Sequence, residues 1–230
     1  MNEHIQVEPG YHVRRWVTYL DLLGFTELIR TKNWVYIFAH YTQAIEYCTR
    51  KYASESTIEK AWFSDTFLLY SPDDTALSFT AIEATTRWFV YFLVSNGIPV
   101  RGAISCADLY ADKENNLFFG KALVEAYHYG VNQNWIGFVL TPSCVEQMDA
   151  IGLPADQRLD YAYWNIPYRR PDKALPKTLP ACILGGSIGN NACLDQLHKM
   201  KTGLKGSDKI AKYENTISFI EANRRQIVDG

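Results

Sequence analysis

The sequence predicts an α+β fold with a ferredoxin-like or palm-type core, in which an antiparallel sheet carries helices on one face. Two observations lead to this prediction. Strand-like and helix-like apolar patterns follow one another in the order β-α-β-β-α-β, with a further strand, helix and strand after it. Hydrophobic residues make up 47% of the chain and charged residues 21%, which is typical of a globular protein.

The first half of the chain supplies three strands and two helices of this core. Residues 15–25 form a buried strand that runs into a glycine turn, and residues 34–52 carry bulky groups at helical spacing. Residues 58–63 and 66–70 are short strands separated only by Ser64 and Asp65, which indicates a tight hairpin. Residues 75–96 form a long helix that stops at Asn96 and Gly97.

The second half completes the core and adds an elaboration. Its core elements are the strand Val100–Leu109, the strand Leu117–Phe119, the helix Gly120–Tyr129, the strand Ile136–Leu140 and a helix that begins at Thr141 and Pro142. Residues 152–182 contain five prolines, which indicates an irregular excursion, and residues 192–226 resemble one or two final helices. We expect one domain over residues 1–230, with its core in 15–145 and a C-terminal elaboration in 146–230.

Charge and cysteine content exclude several classes of protein. The 23 basic and 25 acidic residues give a net charge of −2, so a nucleic-acid coat protein with a basic surplus is not expected. The five cysteines are widely spaced without a Cys-x-x-Cys, which argues against a disulfide framework or a thiolate zinc site. The N-terminus has no signal pattern, and no apolar run approaches the ~20 residues that span a bilayer. We therefore expect a soluble, cytoplasmic protein without a membrane or nucleic-acid partner.

Two aspartates in apolar surroundings are the strongest functional signal. Asp21 follows a predicted buried strand, in Tyr-Leu-Asp-Leu-Leu-Gly-Phe, and Asp65 lies at the hairpin tip, in Phe-Ser-Asp-Thr. Because the first strand and the hairpin are neighbours in a β-α-β-β sheet, both side chains should converge at one sheet edge. Paired carboxylates favour hard divalent cations that bridge phosphates. Taken singly, Asp21 could cap a helix and Asp65 could be a turn residue.

The turn after Asp21 adds a second functional signal. Residues 22–26 form a strand-to-helix turn with a glycine and no acidic side chain. Backbone N–H groups at such a helix N-terminus can cradle a phosphate chain.

These residues resemble the catalytic domain of class III nucleotidyl cyclases, a βαββαβ family. That family has Asp-x-x-Gly-Phe after its first strand, a second Asp in a hairpin, and a Gly that opens a helix, as Gly120 does here. The likeness covers about residues 15–145. Five segments resemble more closely the bacterial pyrimidine (uridylate or cytidylate) cyclases of the Pycsar antiphage system: Leu-Asp-Leu-Leu-Gly-Phe, Phe-Ser-Asp-Thr, Val-Arg-Gly-Ala-Ile-Ser from Val100, Phe-Gly-Lys-Ala-Leu-Val-Glu-Ala-Tyr from Phe119, and Lys-Tyr-Glu-Asn-Thr from Lys212.

The resemblance implies a nucleotide cyclase with a particular set of ligands. Two divalent cations, Mn²⁺ or Mg²⁺, would be held by Asp21, Asp65 and the carbonyl of Leu22. The triphosphate would be held by the backbone of Leu23, Gly24 and Phe25, with Lys212 as a further nucleotide-binding residue. The family works as a homodimer with shared active sites, and its cyclic nucleotide is a second messenger of antiphage defence that a separate effector protein reads.

Positions at which this sequence differs from the purine cyclases indicate which nucleobase the substrate carries. Those enzymes read a purine with a Lys four residues before the second Asp and an Asp three residues before the helix-opening Gly. Ala61 and Leu117 stand there, and neither offers a side-chain hydrogen bond, so a purine would leave its polar edge unpaired. The usual ribose Asn and transition-state Arg fall at Val124 and His128.

A pyrimidine is therefore expected, with UTP preferred over CTP. Arg101 is a donor-only group that suits the two carbonyls of uracil. The expected reaction converts UTP to 3′,5′-cyclic UMP and pyrophosphate. The alternatives are a cytidylate cyclase that makes cyclic CMP, and a catalytically inactive cyclase-fold module that only binds a nucleotide.

Several other residues have both a functional and an ordinary interpretation. Arg101 leads a strand and would contact the base or the developing phosphate charge, unless it is a surface residue at a strand end. Trp62 and Phe63 fit a hydrophobic core better than a stack on a nucleobase. The C-terminal lysines fit a solvated helix face, and Arg169 with Arg170 fits a surface loop.

Two other enzyme classes are excluded by their own motifs. An aspartyl phosphatase needs a second Asp two positions after the first, where this chain has Leu23. A diguanylate cyclase needs a Gly-Gly-Asp/Glu-Glu-Phe hairpin, where this chain has Phe-Ser-Asp-Thr-Phe.

Overall fold

The fold is described from a computed structural model that covers residues 12–31, 34–52, 58–170, 175–186 and 191–223. The N-terminal segment in which no signal pattern was found, the end of the predicted 192–226 region and the side chain of Cys48 lie outside the described residues. Cys106, Cys144, Cys182 and Cys193 are buried free thiols. Within the described ranges, no helix is both long and apolar enough to cross a membrane.

A single mixed sheet organises the described residues. Its strands are β1 (His12–Leu22), β2 (Glu59–Phe63), β3 (Thr66–Tyr70), β4 (Val100–Asp112), β5 (Leu117–Phe119), β6 (Gly137–Leu140), β7 (Tyr161–Asn165) and β8 (Thr178–Cys182). They lie in the order β2-β3-β1-β4-β6-β8-β7, with β5 paired to β4. Only the β4–β6 pair is parallel among these strands. The first strand and the hairpin are neighbours, as the sequence predicts.

Seven helices surround this sheet within the described residues. They are α1 (Phe25–Thr31), α2 (Trp34–Tyr52), α3 (Ala76–Ser95), α4 (Lys121–Asn132), α5 (Pro142–Ala150), α6 (Ala192–Lys201) and α7 (Ser207–Asn223). The predicted core helices are present, and the C-terminal region forms two helices. The short α1 was anticipated only as a helix start after the glycine turn.

Apolar side chains cover both faces of the sheet, which corrects the expectation of helices on one face only. Successive strand residues point to opposite faces. Trp16 belongs to the main core and packs on Phe79 of α3, with ring centroids 4.7 Å apart. Its neighbour Val17 belongs to a second cluster that contains Ala122 of α4. The alternating residues of β1 are apolar on both sides, so α4 covers part of the second face.

The expected irregular excursion contains two strands, which is a second correction. β7 and β8 pair antiparallel, and β8 joins the core sheet where Ala181 pairs with Val139 of β6. Pro180 lies inside β8, and a proline cannot donate to a ladder. The β6–β8 register consists of that one pair, so β8 needs few hydrogen bonds on this side.

A buried carboxylate anchors this elaboration to the core. Glu83 of α3 is 1% exposed and accepts hydrogen bonds from Arg87 Nε at 2.9 Å, Tyr161 Oη at 3.0 Å and Arg158 Nη2 at 3.3 Å. Burial opposes the charge of Arg87, but the Glu83 carboxylate raises the pKa of this guanidinium on balance. A buried charge with three donors is well paired, and here the donors link α3 to β7.

Candidate active site

Asp21 and Asp65 lie side by side at one end of the sheet. In the β1–β3 register Asp21 pairs with Thr66, which directly follows Asp65. The N–H of Leu22 donates to the Asp65 carbonyl at 2.9 Å, so the hairpin tip is fixed against the end of β1. Both aspartates are half-buried. The structure therefore places the two predicted metal-binding aspartates at the same sheet end.

Arg101 is bound to one of these carboxylates. Its Nε and Nη2 donate to Asp21 Oδ2 at 3.0 and 2.7 Å, and its Nη1 donates to the Gln133 carbonyl at 2.9 Å. The side chain is 4% exposed. Arg101 is thus neither a surface residue nor a free donor for a base. It sets the orientation of Asp21.

The carboxylates fit a divalent cation by their chemistry. Arg101 uses only Oδ2 of Asp21, and Oδ1 has no hydrogen-bond donor among the described residues. Asp65 contributes a second carboxylate, and such hard oxygen donors suit Mg²⁺ or Mn²⁺. No group of three or more His, Cys, Asp or Glu side chains in the described ranges is arranged to hold a metal. A metal here would therefore need backbone oxygen, phosphate or water as further ligands.

The turn after β1 offers fewer amides than the sequence suggested. The N–H of Leu23 donates to the Pro99 carbonyl at 2.8 Å and is therefore engaged within the protein. Gly24 has φ = 71°, a conformation that glycine adopts without steric cost. The amides of Gly24 and Phe25 have no acceptor in the described part of the chain. A phosphate at this turn would thus meet two free N–H groups instead of three.

Basic side chains from distant parts of the chain lie near Asp21. Lys212 of α7 is half-buried and lines a cavity of about 300 Å³ together with Leu23, Gly24 and Lys209. Burial lowers the pKa of Lys212, and the charges of Arg169 and Arg101 lower it further. Arg169 was interpreted as a surface-loop residue, and it is exposed, yet its charge acts at this site. Lys201 instead pairs with Glu214 at 3.7 Å.

A second, larger cavity opens beside the hairpin. It measures about 710 Å³, and its lining carries no charged side chain; the lining residues are Tyr19, Ala61, Trp62, Phe63, Thr66, Leu68, Asn116, Phe118, Leu123, Val124 and Tyr127. Burial, helped by the Asp21 charge, raises the pKa of Tyr19 to about 12, so its hydroxyl stays protonated near neutral pH. Phe63 is 80% exposed, and the core interpretation of this residue is therefore wrong.

Sequence reasoning missed how these groups are connected. Gln133 is fully buried, and its carbonyl accepts from Arg101, while its backbone forms a bridge with Tyr168. That bridge brings Arg169 towards the site. The double arginine at 169 and 170 was the only sequence signal for this, and it does not say where the loop folds back.

Comparison with known proteins identifies the fold. No family model matches the chain, and no curated protein matches it in sequence. Among solved structures, the guanylyl cyclase domain of the RhoGC fusion protein from the aquatic fungus Blastocladiella emersonii is similar, with a TM-score of 0.54 and 10% identity over 75% of this chain and 96% of that one.

Two further structures agree with this similarity. The catalytic core of a rhodopsin-guanylyl cyclase with converted specificity, in complex with ATPalphaS, has a TM-score of 0.54 and 8% identity over 74% of this chain and 96% of that one. An adenylate cyclase from Trypanosoma brucei in its monomeric state has a TM-score of 0.53 and 11% identity over 78% and 91%. The chain thus has the α+β fold of class III nucleotide cyclase catalytic domains.

Proposed function

We propose that this protein is a metal-dependent nucleotidyl cyclase that acts on a pyrimidine nucleoside triphosphate, with UTP preferred, and releases the 3′,5′-cyclic nucleotide and pyrophosphate. One observation carries the proposal: Asp21 and Asp65 lie side by side at the sheet end, next to the Gly24 turn. The structural neighbours are guanylyl and adenylyl cyclase domains, and one of them binds a nucleoside triphosphate analogue.

The reaction needs positioning more than covalent chemistry by the protein. The ribose 3′-hydroxyl releases its proton to solvent and attacks the α-phosphorus, the bond to the bridging oxygen breaks, and pyrophosphate leaves with that electron pair. Two bound divalent cations would supply acidification of the hydroxyl and neutralisation of the phosphate charge. The chain's own contribution is to hold Asp21 in one orientation through Arg101, to keep Asp65 beside it, and to offer the amides of Gly24 and Phe25 to phosphate oxygens.

The second cavity supports a pyrimidine base over a purine. Ala61 lines it, and Leu117 lies between the lining residues Asn116 and Phe118, so the positions that read a purine in related enzymes are apolar here. A purine would lose hydrogen bonds worth about 1–3 kcal/mol for each buried polar group. The hydroxyls and the Asn116 amide in the lining are neutral donors and acceptors that suit a small uncharged base.

Arg101 does not carry the choice of uracil over cytosine. Its guanidinium is bound by Asp21 and Gln133, away from the described lining of the second cavity. UTP remains the proposed preferred substrate because of the resemblance to pyrimidine cyclases. CTP is the second substrate to test, because an amide such as Asn116 can pair with either base.

An exposed apolar surface supports a homodimer with shared sites. Phe63, Val124, Phe119 and Tyr127 are 80%, 66%, 57% and 52% exposed, and three of the four line the second cavity. Apolar surface of this kind marks an interaction site. A second copy of the chain would cover it and bring the base cavity of one protomer against the phosphate-binding end of the other.

The decisive experiment is a product assay with all four ribonucleoside triphosphates. The purified protein is incubated with the mixture and Mn²⁺, and the products are identified by mass spectrometry, with Asp65→Asn as the inactive control. We expect cyclic UMP as the main product of the unaltered protein alone. A cyclic CMP majority would favour the cytidylate alternative. Nucleotide binding without any cyclic product would show a non-catalytic module.

We also propose that the cyclic nucleotide is a second messenger of antiphage defence, read by a separate effector protein. This rests on the resemblance of the five sequence segments. The test is to express the unaltered protein and Asp65→Asn in bacteria, challenge both with phage, and measure cyclic UMP and survival. Protection that the inactive variant gives equally would contradict the proposal.

A further inference from the structure

Three cations from separate parts of the chain converge on one short scaffold, residues 132–136. Arg101 reaches it through Nη1, which donates to the Gln133 carbonyl at 2.9 Å. Arg169 reaches it through its backbone N–H, which donates to the Asn132 carbonyl at 2.8 Å, next to the bridge between Gln133 and Tyr168. Thus the guanidinium of Arg101 and the backbone of Arg169, far apart in sequence, are bound to adjacent backbone groups.

Lys212 is fixed to the same scaffold by helix α7. The Asn215 side chain donates to the Asn134 carbonyl at 2.9 Å, and Thr216 Oγ1 accepts from the Ile136 N–H at 2.8 Å. Lys212 lies one turn earlier on α7, where Thr216 Oγ1 donates to its carbonyl at 2.9 Å. The helix is therefore held in a position that points Lys212 into the cavity beside Gly24.

Two of the three cations have no carboxylate in ion-pair contact within the described residues, although the charge of Asp21 acts on both. Arg101 is neutralised by Asp21, whereas Arg169 and Lys212 form no ion pair within the described residues. Burial lowers the pKa of Arg169, and the charge of Arg101 lowers it further, while Asp21 acts in the opposite direction. Positive groups that lie close together without a partner repel one another, so the arrangement becomes favourable when an anion binds between them.

We infer that Arg169 binds the triphosphate of the substrate beside Lys212, from the same protomer that supplies Asp21 and Asp65. This deepens the proposed function and rests on it for the identity of the substrate. Arg169 then provides a guanidinium that α4 lacks, since His128 occupies the position of the usual arginine. A planar guanidinium suits a phosphate through two parallel hydrogen bonds.

The test measures anion binding without any reaction. The full chain is titrated with inorganic tripolyphosphate by calorimetry, as the unaltered protein and as Arg169→Ala, Lys212→Ala, Arg169→Lys and Arg170→Ala. Arg170 is the matched control, since it is the adjacent exposed arginine. Arg169→Ala and Lys212→Ala should each weaken binding about tenfold or more, as expected for the loss of one charge-assisted hydrogen bond.

The controls separate a binding role from a structural one. Arg170→Ala should bind like the unaltered protein, and Arg169→Lys should bind better than Arg169→Ala. The Arg169 backbone N–H survives every substitution tested, so the thermal unfolding temperature of Arg169→Ala should be unchanged. Binding by Arg169→Ala that equals that of the unaltered protein would overturn the inference.

The product assay run in parallel distinguishes the two proposals. If the protein forms a cyclic nucleotide but its affinity for tripolyphosphate does not depend on Arg169, this inference is wrong and the cyclase function stands. If tripolyphosphate binding depends on Arg169 but no nucleotide gives a cyclic product, the cyclase function is wrong and the anion site stands.

Discussion

Arg101 places both of its hydrogen bonds to Asp21 on a single carboxylate oxygen, Oδ2. These two donors fix the position of Oδ2, while Oδ1 stays without a donor in the described structure. Asp21 thus has two tasks, because it neutralises a nearly buried guanidinium and keeps one oxygen available for a further ligand at the sheet end where Asp65 also lies. The aspartates, though similar in sequence context, should respond differently to the same substitution.

Asp65→Asn should abolish cyclase activity and leave the free energy of unfolding nearly unchanged. Asp21→Asn should abolish activity and also lower the free energy of unfolding by about 1–3 kcal/mol, because Arg101 loses its charged acceptor. Activity in Mn²⁺ and urea denaturation of both variants check this. Near-native activity in both would remove the metal-site assignment, and equal stability would contradict the structural role of Asp21.

Mixing inactive variants should distinguish residues of the base cavity from residues of the phosphate-binding end. If the base cavity and the phosphate-binding end of one active site come from different protomers, Asp65→Asn mixed with Ala61→Arg should recover part of the activity through one intact hybrid site. Asp65→Asn mixed with Arg101→Ala should stay inactive, since each protomer of the mixed dimer then has a damaged phosphate-binding end and no intact site can form. This corrects the expectation that Arg101 lies on the base side.

The control for the mixing experiment is the oligomeric state of each variant by gel filtration. An active, monodisperse monomer would contradict the shared site. Recovery with Arg101→Ala, but not with Ala61→Arg, would reverse the assignment of the two ends.

Installing the purine-reading pair should change the substrate. The double variant Ala61→Lys, Leu117→Asp places a donor and an acceptor at the edge of the second cavity, where the lining is uncharged. We expect the ratio of purine to pyrimidine cyclisation to rise about tenfold or more, the effect of one or two new hydrogen bonds of about 1–3 kcal/mol each. Competition among the four nucleotides measures the ratio. An unchanged ratio would place the base elsewhere.

The parts of the fold that local patterns determine could be predicted from the sequence. The hairpin follows from two short apolar runs around Ser64 and Asp65, and its position beside β1 follows from the order of the core elements. The proximity of Asp21 and Asp65 was therefore predictable. Strands β7 and β8 were not, because Pro180 interrupts the pattern of β8 and its pairing partner in the core sheet, Val139 of β6, lies far earlier in the chain.

Contacts between distant side chains were beyond the sequence patterns. The Arg101–Asp21 pair needs the β1–β4 register, in which these two residues lie directly opposite each other. The approach of Arg169 needs a single backbone bridge between Gln133 and Tyr168. Neither event has a periodic or spacing signal, so Arg101 was open to several interpretations and Arg169 was assigned to the surface.

Glu83→Ala should strongly destabilise the protein. The substitution leaves Arg87 and Arg158 without their shared carboxylate and removes the acceptor of the Tyr161 hydroxyl. Breaking a buried ion pair from one side costs about 3–5 kcal/mol. Urea denaturation should show this loss, with Glu146→Ala, at an exposed helix position, as the control. A midpoint equal to that of the control would show that this cluster does not anchor β7 to the core.

Anion binding should weaken at alkaline pH, and the charge of Arg169 should influence the pH at which the affinity falls. Only the protonated form of Lys212 attracts a phosphate, so affinity is constant below its pKa and falls as pH rises through it. Burial and the charges of Arg169 and Arg101 lower this pKa, so the fall begins at a lower pH than for an ordinary lysine. Arg169→Ala removes one of these charges and should move the fall to higher pH, whereas Arg170→Ala should not. The measurement is the Kd of tripolyphosphate across alkaline pH. Dividing the Kd of the variant by that of the unaltered protein at each pH removes the effect of the ligand's own titration. A fall at the same or a lower pH in Arg169→Ala would show that the two cations do not share one anion.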